Sequence, residues 1–280
     1  MNYVERCDEY ANLAAEEDAS AGAGSPVSPF PDGAVAFESV SMRYASSPTD
    51  VLRGASFRVP ARTRCGIVGR TGAGKSSLAA CLFRVTPLAG GRVSVDGVDV
   101  AGVPLETLRR RIAIVPQDAT LFAGTVRSNV DPFGGASDAD VRAALAAATL
   151  EDTPPDAAVA ARGADKSAGE RQLICLARAL LKRTSLVVCD EATASVDAAA
   201  DAAVQATLAG LDATVLVVAH RLATVVAFDA VVVLDAGAVV ECAPPADLIE
   251  DEASAFFALC ARSGDLDDLR AAARAARRSP

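Results

Sequence analysis

The chain has 280 residues, 51% of them hydrophobic and 4% aromatic, and its net charge is −9. This length and apolar content suffice for one large α/β domain, or for a domain with a subdomain. The negative charge excludes a global positive field that would hold nucleic acid, and it predicts repulsion from acidic lipid. A phosphate ligand would therefore have to be held locally.

The spacing of the cysteines and the hydropathy indicate the cellular compartment in which the chain works. The seven cysteines are scattered singly, and no pair has the C-x-x-C spacing. Several lie in apolar runs, which predicts reduced core thiols in the cytosol and no disulfide framework or zinc site. No apolar run reaches the length that crosses a bilayer, and the acidic N-terminus shows no signal peptide. We expect a soluble chain.

An N-terminal segment precedes the predicted domain. Residues 1–33 are interpreted as a linker, because residues 19–33 are rich in Ala, Gly, Ser and Pro. From Ala34 on, the patterns predict strands at Ala34–Tyr44, Val51–Val59 and Arg64–Val68, a helix at Lys75–Phe83, and a hairpin at Arg92–Val100 around Asp96-Gly97.

The sequence pattern of the second half predicts a helical insertion followed by further strands and helices. A short basic helix, Leu105–Arg111, leads into a strand at Ile112–Val115. Residues 125–161 lack strand signals and contain the Ala-rich helix Ala139–Leu150, so residues 125–182 are interpreted as a helical subdomain. The later predicted elements are a helix from Ser167, strand Leu186–Cys189, helix Asp197–Leu211, strand Thr214–Val218 and hairpin Ala230–Cys242.

The alternation of Val-rich strands with helices predicts a mostly parallel sheet covered on both faces. The domain is expected to span residues 34–264. The remaining residues, 265–280, form a tail whose acidic start and basic end match a helix dipole, and which is interpreted as a solvated terminal helix.

A phosphate-loop pattern stands between a predicted strand and a predicted helix. The residues Gly69-Arg-Thr-Gly-Ala-Gly-Lys75-Ser76 fit G-x-x-x-x-G-K-[ST]. Glycines let consecutive backbone N–H groups turn inward around an anion, and the helix N-terminus adds positive potential. Lys75 would bridge the outer phosphates and Ser76 would ligate Mg²⁺. The alternative is a flexible turn before a structural helix, but the strand–loop–helix context favours phosphate binding.

Two carboxylates end the apolar strand that begins at Leu186. Because side chains alternate along a strand, Asp190 and Glu191 face different directions. Asp190 can then join the Mg²⁺ shell while Glu191 points at a water beside the γ-phosphate. As a general base, Glu191 would contribute about 10²–10⁴ in rate. The alternative is that both acids merely start the next helix.

Two more polar residues follow buried strands, at the edge where α/β sheets hold their ligands. His220 is the only histidine and comes one residue after a Val-rich strand. It is a candidate for a γ-phosphate contact, with a purely structural role as the alternative. Gln117 follows Pro116 after strand Ile112–Val115 and is a candidate for sensing Mg²⁺ and the attacking water.

Taken in order, these residues resemble the nucleotide-binding domain of ABC transporters. The matching motifs are Gly69–Ser76, Gln117, Ser167-Ala-Gly169-Glu170, Leu186–Glu191, Ser195-Val-Asp197 and His220. Segments such as Leu121-Phe-Ala-Gly-Thr125 are most similar to the C subfamily, the multidrug-resistance-associated type, and to its second nucleotide-binding domain. The resemblance implies an α/β P-loop NTPase fold with a mostly parallel sheet core, an antiparallel β subdomain and a shortened helical subdomain.

The resemblance also implies ATP and Mg²⁺ as ligands. Tyr44 would stack on the adenine, or alternatively is an ordinary strand-end aromatic. The implied catalytic residues are Lys75, Gln117, Glu191 and His220, and the implied magnesium residues are Ser76, Gln117 and Asp190. The implied nucleotide-binding residues are Tyr44, Gly69, Thr71, Gly72, Ala73, Gly74, Lys75, Ser76, Ser77, Ser167, Gly169, Glu170 and Asp197.

Partners follow from the same resemblance. It implies a head-to-tail sandwich with a second, non-identical nucleotide-binding domain, in which Ser167–Glu170 closes the partner's ATP. It also implies transmembrane domains of a parent transporter, a place on the cytosolic face of a membrane, and ATP-driven export of organic anions or conjugates. No nucleic-acid partner is expected. Lys166, Ala168 and Glu170 depart from the family signature, although Ser167 and Glu170 form an S-x-x-E capping box.

Two other functions stay open. The altered signature, the shortened helical region and the missing membrane segments would suit a binding-only regulatory module or an inactive fragment. A soluble ABC-type ATPase acting on DNA or ribosomes would resemble paired domains or carry long coiled coils. Neither feature is present, and the acidic charge argues against nucleic acid.

Overall fold

The computed structural model describes residues 30–190, 196–219 and 221–277. The strands are β1 Val35–Met42, β2 Leu52–Val59, β3 Arg64–Gly69, β4 Leu88–Val95, β5 Val98–Asp99, β6 Ala113–Val115, β7 Gly124–Thr125, β8 Ala158–Val159, β9 Leu186–Asp190, β10 Thr214–Val218, β11 Ala230–Asp235 and β12 Ala238–Ala243. The helices are α1 Lys75–Leu82, α2 Leu105–Arg111, α3 Val126–Val130, α4 Asp138–Ala147, α5 Ala168–Leu181, α6 Ala198–Ala209, α7 Leu222–Val225, α8 Pro245–Leu248, α9 Ala255–Ser263 and α10 Leu266–Arg277.

A six-stranded sheet in the order β12-β11-β3-β10-β9-β6 forms the centre. Every neighbouring pair is parallel except β11 with β12. Along β9, Val187 and Cys189 pack into one hydrophobic core, and Leu186 and Val188 pack into the other. The sheet is therefore buried on both faces, which confirms the α/β prediction and explains the unbroken apolar runs.

A four-stranded antiparallel sheet, in the order β2-β1-β4-β5, lies beside the central one. The rings of Phe37 on β1 and Phe57 on β2 stack with centroids 4.6 Å apart. The β11–β12 turn joins the two sheets, because the backbone N–H of Arg53 donates to the carbonyl of Gly237 at 2.9 Å. The antiparallel subdomain expected from the resemblance is thus present.

The β4–β5 hairpin turns at Asp96-Gly97 as predicted, but β4 begins at Leu88, earlier than the sequence indicated. The glycines Gly90 and Gly91 hide the strand signal. Pairing with β1, which places Leu88 opposite Met42, supplies the strand conformation instead.

The carboxylate of Asp96 holds the backbone segment that directly precedes β1. It accepts backbone N–H groups from Asp32 at 3.0 Å, Gly33 at 2.9 Å and Ala34 at 2.7 Å. Gly33 has φ 81°, and a Cβ there would lie 2.1 Å from the carbonyl oxygen of Ser185. Residues 32–34 are therefore held where β9 begins.

The helical insertion between β6 and β9 is organised around the fully buried Asn129. Its side chain exchanges hydrogen bonds with the backbone of Phe122, both at 2.8 Å, and donates to the carbonyl of Thr125 at 3.0 Å. Arg178 on α5 donates to the Asn129 carbonyl at 2.7 Å. These bonds tie the segment after β6 to α5.

The expectation that residues 125–161 contain no strand is wrong in one respect. The two-residue strands β7 and β8 pair antiparallel, with Gly124 opposite Val159 and Thr125 opposite Ala158. Strands this short carry no periodicity of their own and form only because the fold brings them together.

The expectation of a solvated terminal helix is also wrong, because α10 packs onto the domain. Leu269 and Ala273 are 4% and 1% exposed and belong to the larger core cluster. Arg274 pairs with Glu250 at 2.8 Å, and Arg277 pairs with Asp247 at 2.9 Å. An apolar stripe of only two deeply buried residues is too sparse to be recognised in the sequence as a packing face.

The described cysteines are free thiols, and all except Cys242 are buried. Burial raises the pKa of Cys189 to about 12, so this thiol stays protonated and unreactive. Within the described ranges, no helix combines the length and apolar composition needed to cross a membrane.

Candidate nucleotide-binding site

The phosphate loop lies between the carboxyl end of β3 and the start of α1. Gly72 and Gly74 adopt φ of 81° and 98°, which L side chains rarely adopt. A Cβ on Gly74 would also lie 2.9 Å from a methyl carbon of Leu52. Both positions therefore need glycine, and Thr71 and Gly72 form the exposed crest of the loop.

Lys75 lies inside this loop. Its side chain is 6% exposed, and its ammonium donates to the carbonyls of Gly69 at 2.9 Å and Arg70 at 3.2 Å. The ammonium therefore already lies in the concavity that the loop encloses. A polyanion entering the loop would compete with these carbonyls for the same charge.

Ser76 and Asp190, the predicted magnesium residues, meet in the structure. The hydroxyl of Ser76 donates to the Asp190 carboxylate at 3.1 Å, although the residues are 114 positions apart. The central sheet brings them together, because β3 and β9 both flank β10 and end at the same edge. A hydroxyl and a carboxylate are oxygen ligands of the kind Mg²⁺ prefers, so the site fits this ion.

Gln117 follows β6, which pairs with β9 and ends at the same edge of the sheet. Its side chain is exposed. Among the described residues, no group of three or more His, Cys, Asp or Glu side chains forms a metal cluster. Mg²⁺ commonly binds proteins through one or two carboxylates together with phosphate oxygens and water.

Tyr44 also lies at the loop. Its hydroxyl and that of Ser77, in the first turn of α1, are 3.1 Å apart and share a hydrogen bond. The Tyr44 side chain is 37% exposed while Ser77 is buried. This bond fixes the ring beside the phosphate loop, where a base attached to the phosphates would lie within reach.

The β11–β12 turn supports the loop from behind, which sequence reasoning missed. The N–H of Gly237 donates to the carbonyl of Ala73 at 3.2 Å. Ala73 is 3% exposed, and a Cβ on Gly69 would lie 2.3 Å from the carbonyl oxygen of Leu234. The available sequence signal was Gly237 inside the predicted hairpin Ala230–Cys242, and in the structure Ala236 and Gly237 adopt φ of 45° and 86°.

Ser167, Gly169 and Glu170 stand at the start of α5, which packs against α3, α4 and β6. The predicted capping box is present: Ser167 Oγ accepts the Glu170 N–H at 3.1 Å, and the Glu170 carboxylate accepts the Ser167 N–H at 2.8 Å. That bond lowers the pKa of Glu170. No hydrogen bond between described residues joins these three residues to the phosphate loop.

Asp197 is the N-cap of α6. Its exposed carboxylate accepts the backbone N–H groups of Ala199 and Ala200, both at 3.0 Å. Glu191, Ser195 and His220 lie outside the described residues. Glu191 directly follows β9 and His220 comes two residues after β10, so their roles stay predictions.

Comparison with known families decides the identity of this site. The family model described as ABC transporter matches residues 52–194, just over half of the chain. The chain belongs to the ABC transporter family. The matched residues include the phosphate loop and the Ser76–Asp190 pair, so this is an ABC transporter ATP-binding domain. Its family is a family of ATPase domains.

Relatives of this ATP-binding domain are large proteins. It is 41% identical to the ABC-type transporter cicA of Emericella nidulans over 94% of this chain and 21% of that protein. It is 42% identical to multidrug resistance protein mrp-7 of Caenorhabditis elegans, over 94% and 18%. It is 38% identical to the ATP-dependent bile acid permease of Saccharomyces cerevisiae, over 96% and 18%. The chain spans about a fifth of the length of these curated relatives.

A solved structure confirms the fold of the ATP-binding domain. The chain superimposes on a bacterial Atm1-family ABC exporter with ATP bound at a TM-score of 0.84 and 33% identity. The match covers 93% of this chain and 46% of that chain. The P-loop fold with its parallel and antiparallel sheets is therefore that of an ABC ATPase, as predicted.

Proposed function

We propose that this chain is the ATP-hydrolysing motor domain of an ABC exporter of the C subfamily, and that it corresponds to the second nucleotide-binding domain of such a protein. The observation that carries the proposal is the hydrogen bond between Ser76 and Asp190 at the end of the loop that holds the buried Lys75. A lysine, a hydroxyl and a carboxylate around one glycine-rich loop suit a magnesium-bound triphosphate.

Each residue of the site has a distinct role in this proposal. Lys75 and the loop N–H groups hold the outer phosphates, while Ser76, Asp190 and Gln117 hold Mg²⁺ and its water. The bound ion neutralises developing charge on the phosphates. Glu191 accepts the proton of the attacking water, and His220 contacts the γ-phosphate.

The remaining nucleotide contacts come from two places. Tyr44 stacks on the adenine beside Gly69–Ser77. Ser167, Gly169, Glu170 and Asp197 contact the nucleotide held by a second, non-identical ATP-binding domain in a head-to-tail sandwich. The hydrogen bonds of Ser167 and Glu170 support this arrangement, because in the described part of the chain they join the start of α5 to itself and not to the phosphate loop.

The parent protein supplies the transport pathway in this proposal. Residues 1–33 connect transmembrane domains to the ATP-binding domain, residues 34–264, of which 125–182 form the helical subdomain and 265–280 the C-terminal tail. The domain works on the cytosolic face of the membrane. The names of the relatives, a bile acid permease and a multidrug resistance protein, support export of organic anions or conjugates.

Nucleotide binding is tested by Lys75→Ala. Removing the ammonium leaves phosphate charge uncompensated in a largely buried site, so we expect the affinity for Mg·ATP to fall at least about tenfold. Titration calorimetry of the 280-residue chain measures this. Arg262→Ala, an exposed cation on α9, is the control and should bind as the unchanged chain does. Equal affinity in both variants would contradict the assigned site.

Hydrolysis is tested by Glu191→Gln, which keeps the size of the side chain and removes its basicity. We expect Mg·ATP affinity to stay the same and turnover with a partner domain to fall about 10²–10⁴-fold. Unchanged turnover would exclude Glu191 as the base.

A second candidate function is ATP binding without hydrolysis. If the unchanged chain binds ATP but releases no phosphate with any partner, it is a binding-only module. The departure of Lys166, Ala168 and Glu170 from the family signature favours that second function.

A further inference from the structure

A cavity of about 440 Å³ lies at the edge of the central sheet opposite the phosphate loop. It opens where α2 and α5 end and β9 begins. Its lining residues are Phe30, Pro31, Arg110, Arg111, Lys182, Arg183, Thr184 and Ser185. Since β9 is five residues long, the cavity is separated from Asp190 by about 16 Å of strand. It is not part of the ATP site.

Four of the eight lining residues are cations, and none is a carboxylate. This concentration stands out in a chain with 36 acidic and 27 basic residues and a net charge of −9. Arginine and lysine side chains that converge on one concave surface raise the local concentration of anions. The charge is therefore arranged around a space that an anion can enter.

The existing ion pairs of this cluster are exposed and exchangeable. Arg110 pairs with Glu106 at 2.7 Å, with 59% and 76% of their side chains exposed. Arg183 pairs with Asp140 at 2.6 Å, with 75% and 38% exposed. Exposed pairs of this kind contribute little to stability, so a multivalent anion can displace them. Arg111 has no carboxylate partner in the described part of the chain.

The favourable interaction of cations with the carbonyl groups at helix C-termini explains only part of this cluster of cations. The ammonium of Lys182 donates to the carbonyls of Arg109 at 3.1 Å and Ile112 at 3.4 Å, at the end of α2. Although the Lys182 side chain as a whole is exposed, desolvation around its ammonium and the charge of Arg178 lower its pKa. Cations are favourable at helix C-termini, which accounts for Lys182 and for Arg111 in the last turn of α2 one by one, but not for the convergence of Arg111, Lys182 and Arg183 on one space. An anion would relieve the mutual repulsion of these cations.

We propose that this cavity binds a small multivalent oxyanion of the diphosphate class through Arg111, Lys182 and Arg183. Planar guanidinium groups hold phosphate oxygens with paired hydrogen bonds, and the lysine adds a point charge. The ligand is a dissolved phosphate compound. The acidic run Glu16-Glu17-Asp18 of the same chain carries carboxylates that would compete for the same cations.

The acidic run lies close to the cavity in sequence. Asp18 precedes Phe30, a lining residue, by 12 residues, which is at most about 40 Å of extended chain. An intramolecular anion on so short a tether acts at an effective concentration in the millimolar range. It therefore competes with dissolved phosphate compounds for the same cations.

Pyrophosphate is the probe for the site, and the Lys75→Ala background weakens its binding to the phosphate loop. We expect titration calorimetry of the 280-residue Lys75→Ala chain at low ionic strength to detect pyrophosphate binding. Adding Arg111→Gln and Arg183→Gln should weaken that binding about tenfold. Adding Arg142→Gln and Arg262→Gln instead removes the same charge from exposed positions outside the cavity and should leave the binding unchanged. Both cavity arginines are exposed, and thermal melting checks that the variants fold.

Competition by the acidic run is tested by a second set of variants on the same background. If Glu16→Gln, Glu17→Gln and Asp18→Asn together strengthen pyrophosphate binding, these carboxylates compete for the site. If they leave it unchanged, they do not. The phosphate site stands in both cases. It is overturned if the Lys75→Ala chain binds no pyrophosphate even with the acidic run neutralised, or if the two arginine substitutions do not weaken binding. Neither result would bear on ATP binding by Lys75.

Discussion

Ser76 and Asp190 illustrate how single residues make this site. Neither has an unusual environment of its own: Ser76 is exposed in the first turn of α1, and Asp190 is half-buried at the end of β9. Their 3.1 Å hydrogen bond places two oxygen atoms at the end of the phosphate loop before any ligand enters. Pre-positioned ligands lower the entropy lost when an ion binds.

We expect Ser76→Ala to raise the Mg²⁺ concentration needed for half-maximal ATP hydrolysis at least about tenfold, because the ion loses an oxygen ligand and Asp190 loses the group that orients it. ATP binding without Mg²⁺ should change little. The measurement is phosphate release against Mg²⁺ concentration with a partner domain present. Ser46→Ala, an exposed serine outside the site, is the control. An unshifted Mg²⁺ curve for Ser76→Ala would refute the assignment.

Elements differ in how well the sequence predicts them. The phosphate loop and the α5 capping box are local: glycines at fixed spacing, and Ser167 three residues before Glu170, need no distant partner to be recognised. The supports of the site are not local. Gly237 reaches Ala73 only because β11 pairs with β3, and Arg111 meets Lys182 only after both helices pack on the sheet. Those contacts could not be predicted from single stretches of chain.

The capping box on α5 predicts a pH-dependent contribution to stability. The Ser167 N–H lowers the folded-state pKa of Glu170 below its ordinary value of 4.5. The stabilisation is therefore present above the unfolded pKa and is lost as the pH falls through the folded pKa. We expect Glu170→Ala to lower the free energy of unfolding by about 0.5–1 kcal/mol at pH 7, and by less as the pH drops below 4.5.

Urea unfolding of the two chains across pH 7 to pH 3 measures this difference. Glu252→Ala, which removes an exposed carboxylate outside any helix, is the control and should change stability little at any pH. A loss for Glu170→Ala that stays constant down to pH 3 would mean that packing of the side chain, and not its charge, stabilises the helix start.

At the scale of the whole molecule, the two ends of the described chain are anchored on the same domain. Asp96 holds three successive N–H groups of residues 32–34 at the β4–β5 turn. Before the last two helices, Glu241 on β12 accepts the N–H groups of Ala255 and Phe256 at the start of α9. Both anchors are carboxylates that bind backbone donors, so the segments that enter β1 and leave β12 are fixed by polar contacts as well as by apolar burial.

The packing of α10 on the domain was not predicted from sequence periodicity. Its contribution to the free energy of unfolding can be measured. Leu269→Ala removes a side chain that is 4% exposed from the larger core cluster. We expect a loss of about 2 kcal/mol in the free energy of unfolding, at the low end for a buried leucine, because a terminal helix can shift to close part of the cavity. Val240→Ala, a substitution at a side chain that is 49% exposed, is the control and should cost much less. If the two substitutions destabilise equally in urea unfolding, α10 does not pack on the domain in solution, and its helix would then be the solvated tail that its charge pattern predicts.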